Sequence, residues 1–276
     1  MTDWLLSHQS PLQTYLLLGG FGVVAVWELL AARRPFETPL GSRWFNNLSL
    51  AALGLALSRL CVPLAAFAFA TLAEQQEWGL LNHWALPLWL SCALGVIVLD
   101  LGSYGQHRLF HALPFLWRFH KIHHSDLDVD CGTALRHHPV EILMGLAVDF
   151  AIIAVFGIAP LAVFVGATLM GLASIFNHGN IALGPVADRL LRRFLVTPDM
   201  HRVHHSTNMV ESNRNFANLL PWWDHVFVTY QHEPLLGHAR VELGISETRT
   251  PRDVTLLKLL VLPFRRVRAP VLAEST

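Results

Sequence analysis

The sequence predicts an all-α integral membrane helical bundle, with about four to five membrane-embedded helices and a cytosolic helical cap holding a histidine-rich dimetal site. Three observations lead there. Of 276 residues, 53% are hydrophobic and 14% charged, well under the roughly 25% charge of soluble domains. Apolar runs recur at about 20 residues, the length that spans a bilayer. Eleven of the sixteen histidines fall between 107 and 205, most of them in short repeated motifs.

The spans follow in order. The first covers roughly 12–32 and is closed by Arg33, Arg34 and Pro35. No Lys or Arg precedes it, so the basic n-region of a cleaved leader is missing and Leu16–Ala32 reads as a retained span. The second, roughly 47–73, is interrupted by Arg59 and Pro63; the third runs roughly from 84 to 104. A fourth and fifth share 140–176, split by "GIAP" at 157–160, and read equally well as two crossings or as a hairpin that dips and returns. Arg59 within a span is costly unless it faces the bundle or snorkels, and a contact between helices is the favoured reading. Asp100 and Asp149 stand in similar surroundings. Asp100, two turns before His107, is the better functional candidate.

Basic residues orient the chain. Loop 33–46 carries Arg33, Arg34 and Arg43, whereas loop 74–83 carries Glu74 and Glu77 and no base. This puts 33–46 in the cytoplasm and 74–83 outside, with the histidine motifs on the cytoplasmic face. Net charge is zero, which leaves no electrostatic footprint for nucleic acid. Cys61, Cys92 and Cys131 are scattered and form no disulfide framework.

The histidines carry the chemistry. His107 and His111 are an i, i+4 pair, and residues so spaced share a helix face. His120, His123 and His124 form H-x-x-H-H, three rings expected on one stripe, and His201, His204 and His205 repeat it. Eight imidazoles exceed the four ligands of a zinc ion, so two metals fit the count. No H-E-x-x-H or E-x-x-H motif occurs there, which removes the zincin and the carboxylate di-iron patterns. Solitary His8, His83, His232 and His238 read as surface or core residues, and His225 is ambiguous. Asp126, Asp199, Asn177 and Asn208 are candidates to orient ligand rings or to cap helices. Thr197 and Pro198 read as N-cap and first helical residue. Trp222 and Trp223 read either as interfacial anchors or as a lid.

The three boxes, with "DLGSYGQHRLFH", "LWRFHKIHHSD", "TALRHHPVEIL", "FNHGNI", "TPDMHRVHHS" and "NFANLLPWWDHVF" around them, resemble the fatty acid hydroxylase / sterol desaturase superfamily across about 100–230. The resemblance implies a di-iron, O2-dependent enzyme that hydroxylates or desaturates a lipid C–H bond, with no catalytic groups beyond the metal ligands. It assigns as ligands His107, His111, His120, His123, His124, His201, His204 and His205, completed by His138 and His178. Of the adjacent pair it selects His138 over His137, because the family histidine directly precedes the proline. With the spans above, the chain is expected to divide into an N-terminal transmembrane region (1–83), a catalytic domain (84–230) containing hairpin 140–176, and a C-terminal cytosolic tail (231–276). Gly105 and Val228 depart from the family pattern, Val228 standing where glycine is usual. Zinc can occupy such a nitrogen site as well as iron. Electrons must come from a separate reductase, cytochrome or ferredoxin, since neither a dinucleotide fingerprint nor a haem attachment motif is present. Two readings compete: a histidine-rich membrane metal transporter or metal-binding protein, expected to place ligands near the midplane, and a zinc hydrolase, which wants a carboxylate base.

Overall fold

The computed structural model describes residues 2–62 and 66–265. They are helical, and among them no strand forms beyond isolated bridges. Five segments are long and apolar enough to cross a membrane. The first is the Pro11–Leu30 stretch of α1 (Thr2–Leu30), and the second contains α2 (Leu40–Cys61) and α3 (Ala66–Gln75). The others are α4 (Leu88–Ala112), α6 (Pro139–Phe156) and α7 (Pro160–Asn177). Pro63, expected to interrupt the second span, lies outside the described residues. Outward faces of these helices are apolar: Leu18, Val23, Leu29, Leu55 and Trp89 are all exposed. An exposed apolar face along a span-length helix is what lipid accommodates and water does not. The protein is an integral membrane protein.

Proline opens five of the twelve α-helices among the described residues. Pro114 opens α5 (Pro114–His124), and Pro139, Pro160, Pro185 and Pro198 open α6, α7, α8 (Pro185–Leu191) and α9 (Pro198–His204). At the first helical position the missing N–H is no loss and the fixed φ suits the helix. Leu113, held extended before Pro114, ends α4 and turns the chain into α5. Thr197 caps α9 through its side chain, as its sequence suggests. Three short helices, α10 (Met209–Ser212), α11 (Trp222–Val226) and α12 (Leu256–Val261), complete the cap.

The "GIAP" break separates two 18-residue helices, each about 27 Å long. Gly157 closes α6 at φ 66°, a conformation glycine adopts without a Cβ penalty. Gly79 lies against it, where an added Cβ would stand 2.1 Å from the Gly157 nitrogen. Both helices start or finish at the histidine end, so 140–176 leaves the cap and returns to it. The loop around Trp78 and Gly79 packs at the opposite end of α6.

The basic loop gathers at the cap. Arg33 pairs with Asp199 at 3.2 Å, and Arg34 donates to the Val241 carbonyl at 2.8 Å. Arg43, buried at the start of α2, reaches Asp126 and Asp130, each at 2.8 Å. Arg136 is fully buried and donates to Asn47, Ser125 and the Ile122 carbonyl. These bonds tie α2 to the segment after α5, and losing one partner of such a buried pair costs about 3–5 kcal/mol. The segment after 231 also packs onto the cap: Ile245, Val254, Leu259 and Leu262 form one core with Leu50 and Ile122.

Candidate metal centre

Four elements deliver the rings. His107 and His111 lie on the last turns of α4, so the third span and the first box are one continuous helix. α5 and its end carry His120, His123 and His124, and α9 and its end carry His201, His204 and His205. His178 caps the C-terminus of α7. Their ring nitrogens form two groups: His107, His111, His120, His124 and His204, and His123, His178, His201 and His205. Within each group the ligand atoms lie within 4.8 Å of one another.

This division corrects the expectation of one stripe per triplet. In α5 the i, i+4 pair His120 and His124 faces the first group, while His123 turns into the second. In α9 the allotment reverses: His201 and His205 enter the second group and His204 the first. Steps of three and four residues fall on opposite sides of a helix stripe at 3.6 residues per turn, so an H-x-x-H-H helix lying between two centres serves both.

Within the groups Nε2 atoms meet at short range. His107 Nε2 is 2.9 Å from that of His204 and 3.1 Å from that of His120, and His111 Nε2 is 3.0 Å from that of His124. In the second group His178 Nε2 stands 3.0 Å from His201 Nε2 and 3.1 Å from His123 Nε2. Tautomers decide what these contacts mean. The Nδ1–H of His107 donates to the Phe216 carbonyl at 2.7 Å, and that of His204 to the Arg214 carbonyl at 2.8 Å. A carbonyl only accepts, so in the neutral rings both facing Nε2 atoms carry lone pairs. Burial and the surrounding imidazoles hold His204 well below the usual histidine range, which disfavours a proton between them. A metal cation satisfies the pair. Burial likewise pushes His178 down to about 3 and keeps His123, His124, His201 and His205 well below their ordinary value, the neutral form that ligates metals.

Glu141 is the site residue that the sequence reading missed. Its Oε1 accepts from His120 Nδ1 at 2.7 Å and from His137 Nδ1 at 3.0 Å. A carboxylate behind a ligand ring fixes its tautomer and adds negative charge to an otherwise neutral donor set. The available signal was the spacing in "HHPVE", which sets Glu141 four residues after His137.

The two neighbouring rings His137 and His138 lie in different places relative to the groups. His138 is the N-cap of α6, with Nδ1 accepting from the Val140 N–H and Nε2 3.3 Å from the Leu260 carbonyl. Both nitrogens are engaged away from the two groups. His137 instead lies flat on His123, ring centroids 4.6 Å apart. Burial opposes its charged form, but Glu141 outweighs this and raises it above the usual histidine range. The residue before a proline is held extended, and here that turn points His138 outward and His137 inward.

The other candidates serve the scaffold. Asp126 binds Arg43 and Thr133, Asp199 pairs with Arg33 and Arg202, Asn177 donates to Asn218, and Asn208 caps α10. Asp100 accepts from the Leu219 and Leu220 N–H groups and from Trp223 Nε1, so Trp223 is a brace. Trp222 Nε1 donates to the Arg193 carbonyl. His232 meets Arg192, His238 faces Asp199, and His225 stacks on Tyr230. The side chain of His8 lies outside the described residues. The carbonyls that hold His107 and His204 sit on a loop clamped in turn by Asp224, which accepts from the Phe216 and Ala217 N–H groups and from Thr229. Val228 closes that clamp at φ 57°, which explains why glycine is usual at its position.

A cavity of about 180 Å³ opens beside both groups, lined by His107, His120, His123, His137, His178 and His201 among others. The arrangement is therefore a pair of adjacent all-imidazole sites with a carboxylate behind one of them and a space alongside.

The fatty acid hydroxylase family profile matches residues 92–229, half of the chain. The chain is 29% identical over 235 residues to an ornithine lipid hydroxylase of Rhizobium tropici, covering 81% of this chain and 68% of that protein. It is 33% identical over 160 residues to the Homo sapiens alkylglycerol monooxygenase (54% of this chain, 32% of the relative). Methylsterol monooxygenase 1 of Gallus gallus is 29% identical over 155 residues, covering 55% of this chain and 50% of its own length. No solved structure matches the chain significantly. The histidine boxes, their membrane setting and the profile define a class, the oxygen-using lipid oxidoreductases. Within it, the chain belongs to the fatty acid hydroxylase family.

Proposed function

We propose that the protein hydroxylates a C–H bond of a membrane lipid at a di-iron centre facing the cytoplasm. The observation that carries this is the His107–His204 contact, two ring nitrogens with fixed tautomers converging at 2.9 Å. Imidazole nitrogens about 2.1 Å from one ion stand about 3 Å apart at a right angle and about 3.4 Å apart at the tetrahedral angle. Separations of 2.9 to 3.2 Å are short enough for the nitrogens of each group to share one ion. Bound iron supplies the one-electron chemistry that activates O2 toward an unactivated C–H bond.

The remaining work falls to the chain. The two groups hold neutral rings, and Glu141 with the Arg214 and Phe216 carbonyls fixes which nitrogen of three of them faces inward. His124 and His205, stacked at 4.7 Å, form the wall between the groups. The reacting carbon of the substrate would enter the cavity beside them. The reaction balances as a C–H bond, O2, two electrons and two protons giving a C–OH group and water. The electrons come from a separate donor protein. The three basic residues of the 33–46 loop at the histidine end support the cytoplasmic orientation.

Full-length protein expressed in cells grown under ¹⁸O2 tests the proposal by lipid mass spectrometry. A lipid carrying one ¹⁸O atom, absent with His107→Ala, is expected. Labelled product that persists in that variant, or no labelled lipid from iron-loaded wild type, overturns the reading. Ligands gathered at the cap, rather than at mid-membrane, also weigh against a transporter.

A further inference from the structure

A second cavity, about 390 Å³, lies between α2 and α6. Leu55 of α2, Val62 just after it, Ala66 of α3, and Ile142 and Leu146 of α6 make it apolar, and His137 forms part of its wall. His137 also lines the histidine cavity and is the residue the two linings share. One permanently charged side chain borders the apolar one, that of Arg59. Among the described residues Arg59 makes no hydrogen bond or ion pair, and its neighbour Ser58 is occupied with the Gly54 carbonyl at 2.8 Å. The other arginines of this half of the molecule are engaged: Arg33, Arg34 and Arg43 each bind a carboxylate or a carbonyl. Arg59 is exposed, at the edge of this apolar space near the end of α2, and an unpaired guanidinium within a span-length apolar segment is costly and marks a candidate ligand path.

The level of Arg59 matters as much as its charge. Gly54 packs against α6 at Ile142, where an added Cβ would fall 2.2 Å from Ile142 Cδ1 and 3.9 Å from the Pro139 Cα. Arg59 follows five residues later, about 7.5 Å further along the helix, beside Leu146. It therefore lies only a short way below His137.

We propose that this cavity receives the substrate lipid and that Arg59 binds an anionic headgroup, a phosphate or a carboxylate, making it a specificity-determining residue. The inference rests on the lipid reading above and deepens it. Apolar walls take the hydrocarbon next to the headgroup, and the planar guanidinium matches both oxyanions through paired N–H donors. Because headgroup and His137 share one small cavity, the carbon presented to the histidine groups lies near the polar end of the lipid. A snorkelling arginine, the plain alternative, attracts anionic headgroups from outside the cavity and is indifferent to filling it.

Native mass spectrometry of the full-length protein in detergent, with oleate, 1-oleoyl lysophosphatidate and monoolein as probes, separates these. At least one anionic lipid is expected to bind about tenfold tighter than monoolein, the scale of one charge-assisted hydrogen bond. Arg59→Gln should remove that preference, Arg59→Lys should keep part of it, and Leu146→Trp should weaken all three probes by filling the cavity. Preference for oleate identifies a carboxylate, and preference for the lysophosphatidate a phosphate. No preference in the wild type, or one that survives Arg59→Gln, overturns the proposal. The assay needs no turnover, so its result is separate from the ¹⁸O experiment. Labelled product with headgroup-blind binding sinks only the Arg59 proposal; headgroup-selective binding without labelled product sinks only the hydroxylase reading.

Discussion

The two histidine groups are built from the same helices but are held differently. In the first, three of five rings have Nδ1 anchored from behind: His107 by the Phe216 carbonyl, His204 by the Arg214 carbonyl and His120 by Glu141. In the second, His178 alone among the described residues is anchored, by the Ser174 carbonyl at 2.7 Å. The Nδ1 atoms of His123, His201 and His205 are buried without a hydrogen-bond partner among those residues. An anchored ring keeps its lone pair aimed and loses less freedom when it ligates. The first group is thus preorganised by loop 214–217 and by α6, while the second depends on helix packing alone.

The comparison has consequences that can be measured. The largest concerns metal content. Wild type should carry about two ions per chain, and His204→Ala and His201→Ala should each lose about one, read by elemental analysis of purified protein. Chelator titration should strip the second group first. A single release step, or loss of both ions in both variants, would mean that the groups act as one.

Next is Glu141→Gln, which keeps the shape of the side chain but removes the charge behind His120. It should weaken one ion by about 10–100-fold and leave the other unchanged, measured by competition with a metal indicator. Equal weakening of both ions contradicts the asymmetry.

Val228→Gly addresses the clamp behind the first group. A β-branched residue at positive φ is strained by about 1–2 kcal/mol, so this substitution should raise Tm even though it enlarges no contact. A lowered Tm would show that the strain is absent.

The smallest effect belongs to His138→Ala. The loss of an N-cap costs about 1 kcal/mol, seen as a modest fall in Tm with metal content intact. Loss of an ion in that variant would make His138 a ligand.

Much of this was legible in the chain. Apolar runs of span length mark helices because a bilayer leaves the backbone no other partner, and the segments at 12–32, 84–104 and 140–176 correspond to α1, α4, α6 and α7. Thr197–Pro198 announces the start of α9 by local chemistry. The three boxes place eight histidines on helix ends, since spacing by three and four is itself a helical statement. His137 and Glu141 were not legible in the same way. Which of two neighbouring rings turns inward depends on how α6 leaves the cap, and Glu141 looks like an ordinary first-turn acid until His120 arrives from 21 residues away.

The sequence by itself determined the material: membrane helices, an end for the basic loop, and rings in helical register, all consequences of interactions a few residues long. The tertiary structure alone decided that each H-x-x-H-H would divide its rings between two groups, that carbonyls from 214 and 216 would fix tautomers on α4 and α9, and that Arg59 would border a cavity behind His137. Those decisions join residues tens to a hundred positions apart. They exist only once α2, α4, α6 and α9 have packed, because a lone pair has a direction only when the ring behind it is held.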